Sequence, residues 1–336
     1  MKFEKIRSAM AGEEPDEIPV SLWRHFPGID LEASSLCRAH LSFQRRFDPD
    51  LIKLCPSGGY ASLAFGAEIE YYDSPLGAPR TRVYVVRDAE DWASLDEPDV
   101  QGGVLGEMIR AAERLNEALE GEVPIIQTVF SPLTICKNIG GERLLRDMRE
   151  EPEPLLEGLK VIMRTMVEFT EANLDAGASG IFFATQMATY DTMSEGEYRL
   201  FGMRFDLPVL RAAQRRPLLN VVHIHGQNIM FDLIAENYPA DALNWHDKRT
   251  RPDLGEASRR FGGLLLGGID ELGILVDGSE EDVEEMVKAS VRSVSGRRLL
   301  LAPGCVIPLN APEANLDAVI RTARSYRSWK GLPQPP

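Results

Sequence analysis

The sequence predicts an α/β fold: a (β/α)8 TIM barrel formed by one domain over residues 1–336, with a β-hairpin-like insertion at 66–102 after the second strand. Three observations carry that expectation. Short apolar, β-branched runs alternate with longer amphipathic stretches from residue 18 almost to the end; eight such runs can be counted; and several, among them PIIQTVF, GIFFA, LLNVV and GLLLGGI, are apolar on both faces. Strands covered by helices on both sides read this way, and eight of them with intervening helices make the barrel pattern. The 336 residues fit two average domains or one such barrel. No internal repeat, low-complexity tract or linker divides them, so one domain is the reading.

Taken in chain order, strands are expected at 18–23, 51–55, 123–130, 180–184, 219–225, 242–245, 263–269 and 298–302. Between the second and third, EIEYYDSPLGAPRTRVYVV alternates like an antiparallel hairpin. Helices are expected at 106–119 and 155–174, where apolar residues recur at three- and four-residue spacing. A third at 194–213 opens with Ser194 and Glu197 in capping-box spacing. A fourth at 279–294 opens SEEDVEEMV, with acids at the positive end of the helix dipole. The last good helix is 312–325.

Composition narrows the function. There are 52 acidic and 37 basic residues, a formal charge of −15. That surplus argues against nucleic acid or an anionic membrane as partner, since no basic run stands against it. No stretch approaches 18 apolar residues, and the start, MKFEKIRSAMAGEEPDE, lacks a signal-peptide core. Four scattered cysteines in a long chain speak for a reducing compartment. The expectation is an acidic cytoplasmic enzyme acting on a small molecule.

A barrel carries its active site at the C-terminal ends of its strands. Four of the five histidines (His25, His223, His225 and His246, but not His40) fall at such ends. The last strand runs LLLAPGC, which brings Cys305 to the same rim. In NVVHIHGQN, His223 and His225 stand two apart and point to one side. Two imidazoles and a thiolate with an open fourth position form the ligand set of catalytic zinc. A histidine pair on a strand is also common as hydrogen-bonded packing; the coincidence with Cys305 is what lifts the metal reading. Cys37 and Cys136 read as small buried apolar residues, and Cys55 ends the second strand. There is no GxGxxG, no phosphate loop, no GxSxG and no CxxC. Strand-end position alone also selects Arg24, an anion clamp or a salt-bridge partner, and Thr185, Gln186 and Asp270. It selects Trp245, pocket wall or core, and His246, a supporting base or a loop histidine.

The order of IPVSLWRH, RRFDPDLIKL, AFGAEIEYYDSPLG, FSPLTICKNIGG, DAGASGIFF, GGLLLGGID and LAPGCVIPLNAPEANLDAVI resembles the uroporphyrinogen decarboxylase superfamily over nearly the whole chain. Its decarboxylases bind a tetrapyrrole with two arginines on the first loop, an aspartate, a tyrosine and a late histidine. Arg24 matches the first arginine. The second falls near Gly28, the aspartate near Ser57, the tyrosine near Asn138, and the histidine is Cys305. Four departures of five oppose tetrapyrrole decarboxylation but leave Ser57 and Asn138 as candidate substrate contacts. The site residues look more like the superfamily's zinc methyltransferases, whose signature is His-x-Cys after the fifth strand and Cys after the eighth. Here His225 replaces the middle cysteine.

That branch implies Zn2+ held by His223, His225 and Cys305; His246, chosen by its strand-end position, would join in catalysis as a supporting partner or general base. It also implies a corrinoid (cobalamin) as methyl carrier and a thiol or similar small acceptor. The chain has no D-x-H-x-x-G segment of its own, so the corrinoid belongs to a separate protein or is free. A homodimer is in keeping with the resemblance. Competing expectations are a decarboxylase, a zinc lyase or hydrolase on the same barrel, and a non-catalytic binding protein.

Overall fold

The computed structural model describes residues 2–215 and 217–331. Strands β1 (Ile52–Leu54), β4 (Ile125–Phe130), β5 (Gly180–Thr185), β6 (Val221–Ile224), β7 (Ala242–Trp245), β8 (Leu264–Ile269) and β9 (Leu299–Pro303) form one parallel sheet in that order. Every residue of all seven is buried, which is why the runs read as apolar on both faces. Two short strands, β2 (Glu68–Glu70) and β3 (Arg80–Val83), pair antiparallel outside this sheet.

The assigned sheet has seven strands, not the expected eight. Residues 18–23 make one parallel bridge, Val20 to Leu301. On the β9 side the pairing is that of a strand: Leu301 N–H donates to Pro19 O at 2.8 Å, and Ser21 N–H to Leu301 O at 2.9 Å. On the β1 side it is largely taken over by side chains. Val20 N–H donates to an Asp50 carboxylate oxygen at 2.9 Å, and Ser21 Oγ donates to Leu51 O at 2.8 Å. The one backbone bond there is Asp50 N–H to Val20 O, 2.7 Å. Both edges of the sheet therefore meet on residues 19–21, and the sheet is curled on itself.

Helices Gly103–Ala118, Pro152–Asp175, Glu280–Ser293 and Glu313–Arg324 lie where periodicity put them. The 194–213 stretch starts at Ser194 with both halves of the capping box formed, then passes through a π turn at Arg199–Met203 before Arg204–Ala213. Periodicity did not mark Lys2–Ala11, of which only Ile6 and Ala9 are buried, nor Ala33–Phe47. It also missed Pro132–Gly140, although the local signal is present: Ser131 accepts from Thr134 N–H as N-cap and Pro132 opens the helix.

Within 66–102 the antiparallel pairing is confined to β2 and β3. From residue 85 the chain is claimed by other partners. Val85 and Val86 N–H both donate to Ile139 O, and buried Trp92 anchors a 3-10 turn by donating from Nε1 to Asp147 at 2.9 Å. Residues 69–84 lie over the open end of the sheet. They are tied down by Tyr71 OH to Asp30 (2.5 Å), Leu309 N–H to Pro75 O (2.7 Å) and Thr81 Oγ1 to Asn138 O (2.9 Å).

Candidate metal centre

The parallel register sets His223 of β6 directly beside Asn244 of β7. Asn244 spends both amide hydrogens on carbonyls, Leu266 O and Pro303 O, each at 3.0 Å. Its Oδ1 is therefore an acceptor, and the 2.6 Å contact with His223 is a bond donated by Nδ1–H. That fixes the tautomer and leaves Nε2 of His223 with a free lone pair.

His225 follows one residue after β6, its N–H held by Thr185 O at 2.9 Å. Cys305 follows two residues after β9. Between them and β7, Glu271 accepts from His246 Nδ1–H at 2.7 Å with one oxygen and from Gly304 N–H at 3.0 Å with the other. Residue 304 has to be glycine, because a Cβ there would stand 2.7 Å from His246 Cα and 3.0 Å from Trp245 O. This tight approach is what carries Cys305 in to the histidines.

The ligand atoms of His223, His225 and Cys305 lie within 4.8 Å of one another. Cys305 Sγ is 3.8 Å, and His246 Nε2 3.4 Å, from Nδ1 of His225. Burial would push the Cys305 thiol up, but hydrogen bonds to His223, His225 and His246 outweigh it and hold it well below the usual thiol range. Burial would likewise push His246 down, yet Cys305 and Glu271 raise it to about 10. A buried thiolate among oriented imidazoles is a donor set that suits zinc.

These groups open onto a cavity of about 530 Å³. Its lining includes Gln186, Asn138, His223, His225 and Cys305 of the expected site residues, with Ile69, Leu76 and Tyr84 of the overlying 69–84 segment. Ser57, Thr185, Trp245, His246, Asp270 and Arg24 stand outside the lining. Ser57 is buried and gives its N–H to Asp30 O. Thr185 turns its hydroxyl to Tyr198 at 2.9 Å. Trp245 is core, its Nε1–H on Pro252 O at 2.7 Å and its ring against Phe231. Asp270 is drawn off by Arg249 at 2.8 Å. Arg24 is half-buried, and its Nε has no partner among the described residues.

Sequence reasoning passed over Asn244 and Glu271. The first is the lone polar residue of ALNW, a visible signal, but its meaning depends on the register. Lys53, on β1, is buried in the cavity wall, 4.6 Å from the Phe182 ring centroid and 3.0 Å from Cys55 Sγ, and it makes no ion pair with a carboxylate among the described residues. Burial and the Lys53 charge push His25 down to about 4 and His40 to about 3, so both are neutral.

Comparison with known proteins agrees with this architecture. The chain is 24% identical over 250 residues to the methylcobamide:CoM methyltransferase MtbA of Methanosarcina acetivorans, covering 74% of this chain and 72% of that one. It is 24% identical over 278 residues to the uroporphyrinogen decarboxylase of Shewanella amazonensis, covering 78% and 75%. A solved methyltransferase from Methanosarcina mazei superposes with a TM-score of 0.83 at 18% identity, over 97% of this chain and 98% of that one. The family model described as uroporphyrinogen decarboxylase (URO-D) matches residues 1–326. From its first strand to its last helix, the chain belongs to the uroporphyrinogen decarboxylase family.

Proposed function

We propose that this protein is a methyltransferase that moves a methyl group between a corrinoid and a small acceptor, a thiol or a similar group, with Zn2+ held by His223, His225 and Cys305. The observation that carries the reading is the convergence of those three donors within 4.8 Å at the strand ends, facing one cavity. The names of relatives such as MtbA point the same way. Bound zinc supplies Lewis acidity, which lowers the pKa of an acceptor proton.

The chain's own residues do the rest. Asn244 and Glu271 orient two of the imidazoles. With Nδ1–H on Glu271, the lone pair of His246 Nε2 faces the cluster and is placed to take the proton that the acceptor gives up. Lys53 sets a positive charge in the wall for an anionic group of the acceptor. Residues 69–84 cover the cavity and exclude water, so that an in-line transfer is a matter of positioning. Residues 19–21 act as the eighth strand, and the whole chain serves this one site. The methyl carrier is a separate corrinoid protein or free cobalamin that meets the cavity from outside. His225 in place of a thiolate leaves the site about one charge more positive, which favours a weakly acidic acceptor.

The test is metal analysis coupled to methyl transfer from methylcobalamin to 2-mercaptoethanesulfonate and to neutral thiols. About one zinc per chain is expected, lost together with activity in His223→Ala and Cys305→Ser. A metal-free protein that is fully active would sink the reading.

A decarboxylase reading has the Shewanella relative in its favour. It needs several cations for a polycarboxylate, whereas of the cavity's Lys53, Arg80 and Lys137, Arg80 is already bound to Glu70 at 2.8 Å. Release of coproporphyrinogen in a direct assay would establish it.

A further inference from the structure

We infer that residues 68–84 form a ribbon that lifts off the cavity as one piece, with the Tyr71–Asp30 hydrogen bond as its latch. The inference adds to the reading above how the cavity is entered. It does not depend on the metal, because a ligand of this cavity has to pass the residues that roof it, whatever chemistry follows.

The ribbon is held together from within. Its two strands pair Glu68 with Val83, Ile69 with Thr81 and Glu70 with Arg80. Two ion pairs run alongside that ladder, Glu70 with Arg80 at 2.8 Å and Glu68 with Arg82. The Arg80 guanidinium also stands 5.4 Å from the centre of the Tyr72 ring. Gly77 N–H closes the turn on Ser74 O at 3.0 Å. Opposite charges across neighbouring strands stabilise such a ladder, so the segment keeps its shape without help from the barrel.

Its attachment to the barrel is thin. Among the described residues three hydrogen bonds make it: Tyr71 OH to Asp30, Thr81 Oγ1 to Asn138 O, and Leu309 N–H to Pro75 O. Two of its apolar side chains rest on glycines. A Cβ on Gly59 would stand 2.7 Å from Ile69 Cγ2, and one on Gly141 2.9 Å from Tyr84 Cε1. A side chain seated on bare backbone lifts without repacking a partner side chain. The chain enters the ribbon through Gly66, at φ +91° with open space around it, a conformation that suits a hinge.

The latch itself is costly to keep closed. Asp30 is 0% exposed, its Oδ2 has no hydrogen bond among the described residues, and no cation offsets its burial. Burial raises the carboxyl to about 6, although Tyr71 pulls it back. Closing the ribbon therefore dries a polar group that is only half satisfied, and lifting it gives that group back to water. One bond thus holds the roof down while desolvation of the same carboxyl works against it.

Amide exchange read residue by residue on the full chain tests this, because two sets of amides report different motions. Leu309 N–H is freed when the ribbon lifts; the amides of the β2–β3 ladder are freed only when the ribbon comes apart. In the wild type, Leu309 is expected to exchange by local opening, faster than the amides of β4 to β9 that need global unfolding. Tyr71→Phe should speed Leu309 about tenfold, the worth of one hydrogen bond, and leave the ladder amides as they were. Gly59→Ala, whose backbone at φ −101° admits a side chain, pushes on Ile69 and should act in the same direction. Leu309 exchanging no faster than the core strands would overturn the ribbon. So would an unchanged rate in Tyr71→Phe, or an equal gain in the ladder amides. The wild-type comparison decides the question even if a variant fails to fold. A chain that binds no zinc would sink the metal reading and leave this result standing.

Discussion

Asn244 is the residue whose chemistry is least visible in its own surroundings. It sits in a fully buried strand, donates to two carbonyls, one on the adjacent β8 and one on β9 beyond it, and accepts from His223. Its amide thereby converts strand register into an imidazole orientation. Asn244→Ala is expected to weaken zinc binding about 10- to 100-fold, the range for lost supporting bonds at metal sites. Competition with a chromophoric chelator would measure it, and an unchanged affinity would remove Asn244 from the site. Lys53 makes a different prediction, because it is a buried ammonium without a carboxylate partner. Lys53→Met should raise KM for an anionic thiol roughly tenfold to a hundredfold, the worth of a bond to a charged group. It should leave KM for a neutral thiol nearly unchanged. Equal loss for both acceptors would mean that Lys53 supports structure and not recognition.

At the level of elements, the stretch from Ser194 to Ala213 carries a buried carboxyl outside the cluster of His223, His225 and Cys305. Asp206 accepts from Tyr238 OH at 2.6 Å and Tyr198 OH at 2.9 Å, and burial raises it from 3.8 to about 7 although both hydroxyls pull it back. The folded protein therefore keeps this proton to higher pH than the unfolded chain does. The stability it contributes is fully present below about pH 4 and is lost as pH rises through about 7, by on the order of a few kcal/mol. Asp206→Asn cannot ionise, so its stability relative to wild type should improve steadily between pH 4 and 8. Urea midpoints at several pH values would check this, and a difference independent of pH would contradict it. The elements also differ in how openly the sequence announced them. Strands β4 to β9 were legible because burial on both faces leaves an uninterrupted apolar run. His223, His225 and Cys305 were legible because they stand at the ends of such runs. Helix Lys2–Ala11 was not, since two buried residues make no stripe, and Glu271 was not, since its partners come from two other strand ends.

Across the whole molecule, the question is what closes the sheet that carries these strand ends. Residues 18–23 looked like any other strand in the sequence, yet one of their two edges is bonded mainly through side chains. Asp50 is the hub of that edge. One carboxylate oxygen accepts Val20 N–H at 2.9 Å, the other pairs with Lys5 of the first helix at 2.9 Å, and its own N–H reaches Val20 O. The carboxylate is 5% exposed and Lys5 26%, so the pair is only lightly screened. Asp50→Ala would strand a buried N–H at the seam where the sheet meets itself and leave Lys5 with Glu17 alone, 2.9 Å away. We expect a loss of about 2 kcal/mol, within the cost of an orphaned buried donor. His223, His225 and Cys305 make their contacts with Asn244, His246 and one another, and none of these contacts involves Asp50 or Val20. The folded variant should therefore still bind one zinc per chain at low temperature while its urea midpoint falls. A midpoint within about 0.5 kcal/mol of wild type would mean that the backbone bonds to β9 hold the ring closed without Asp50.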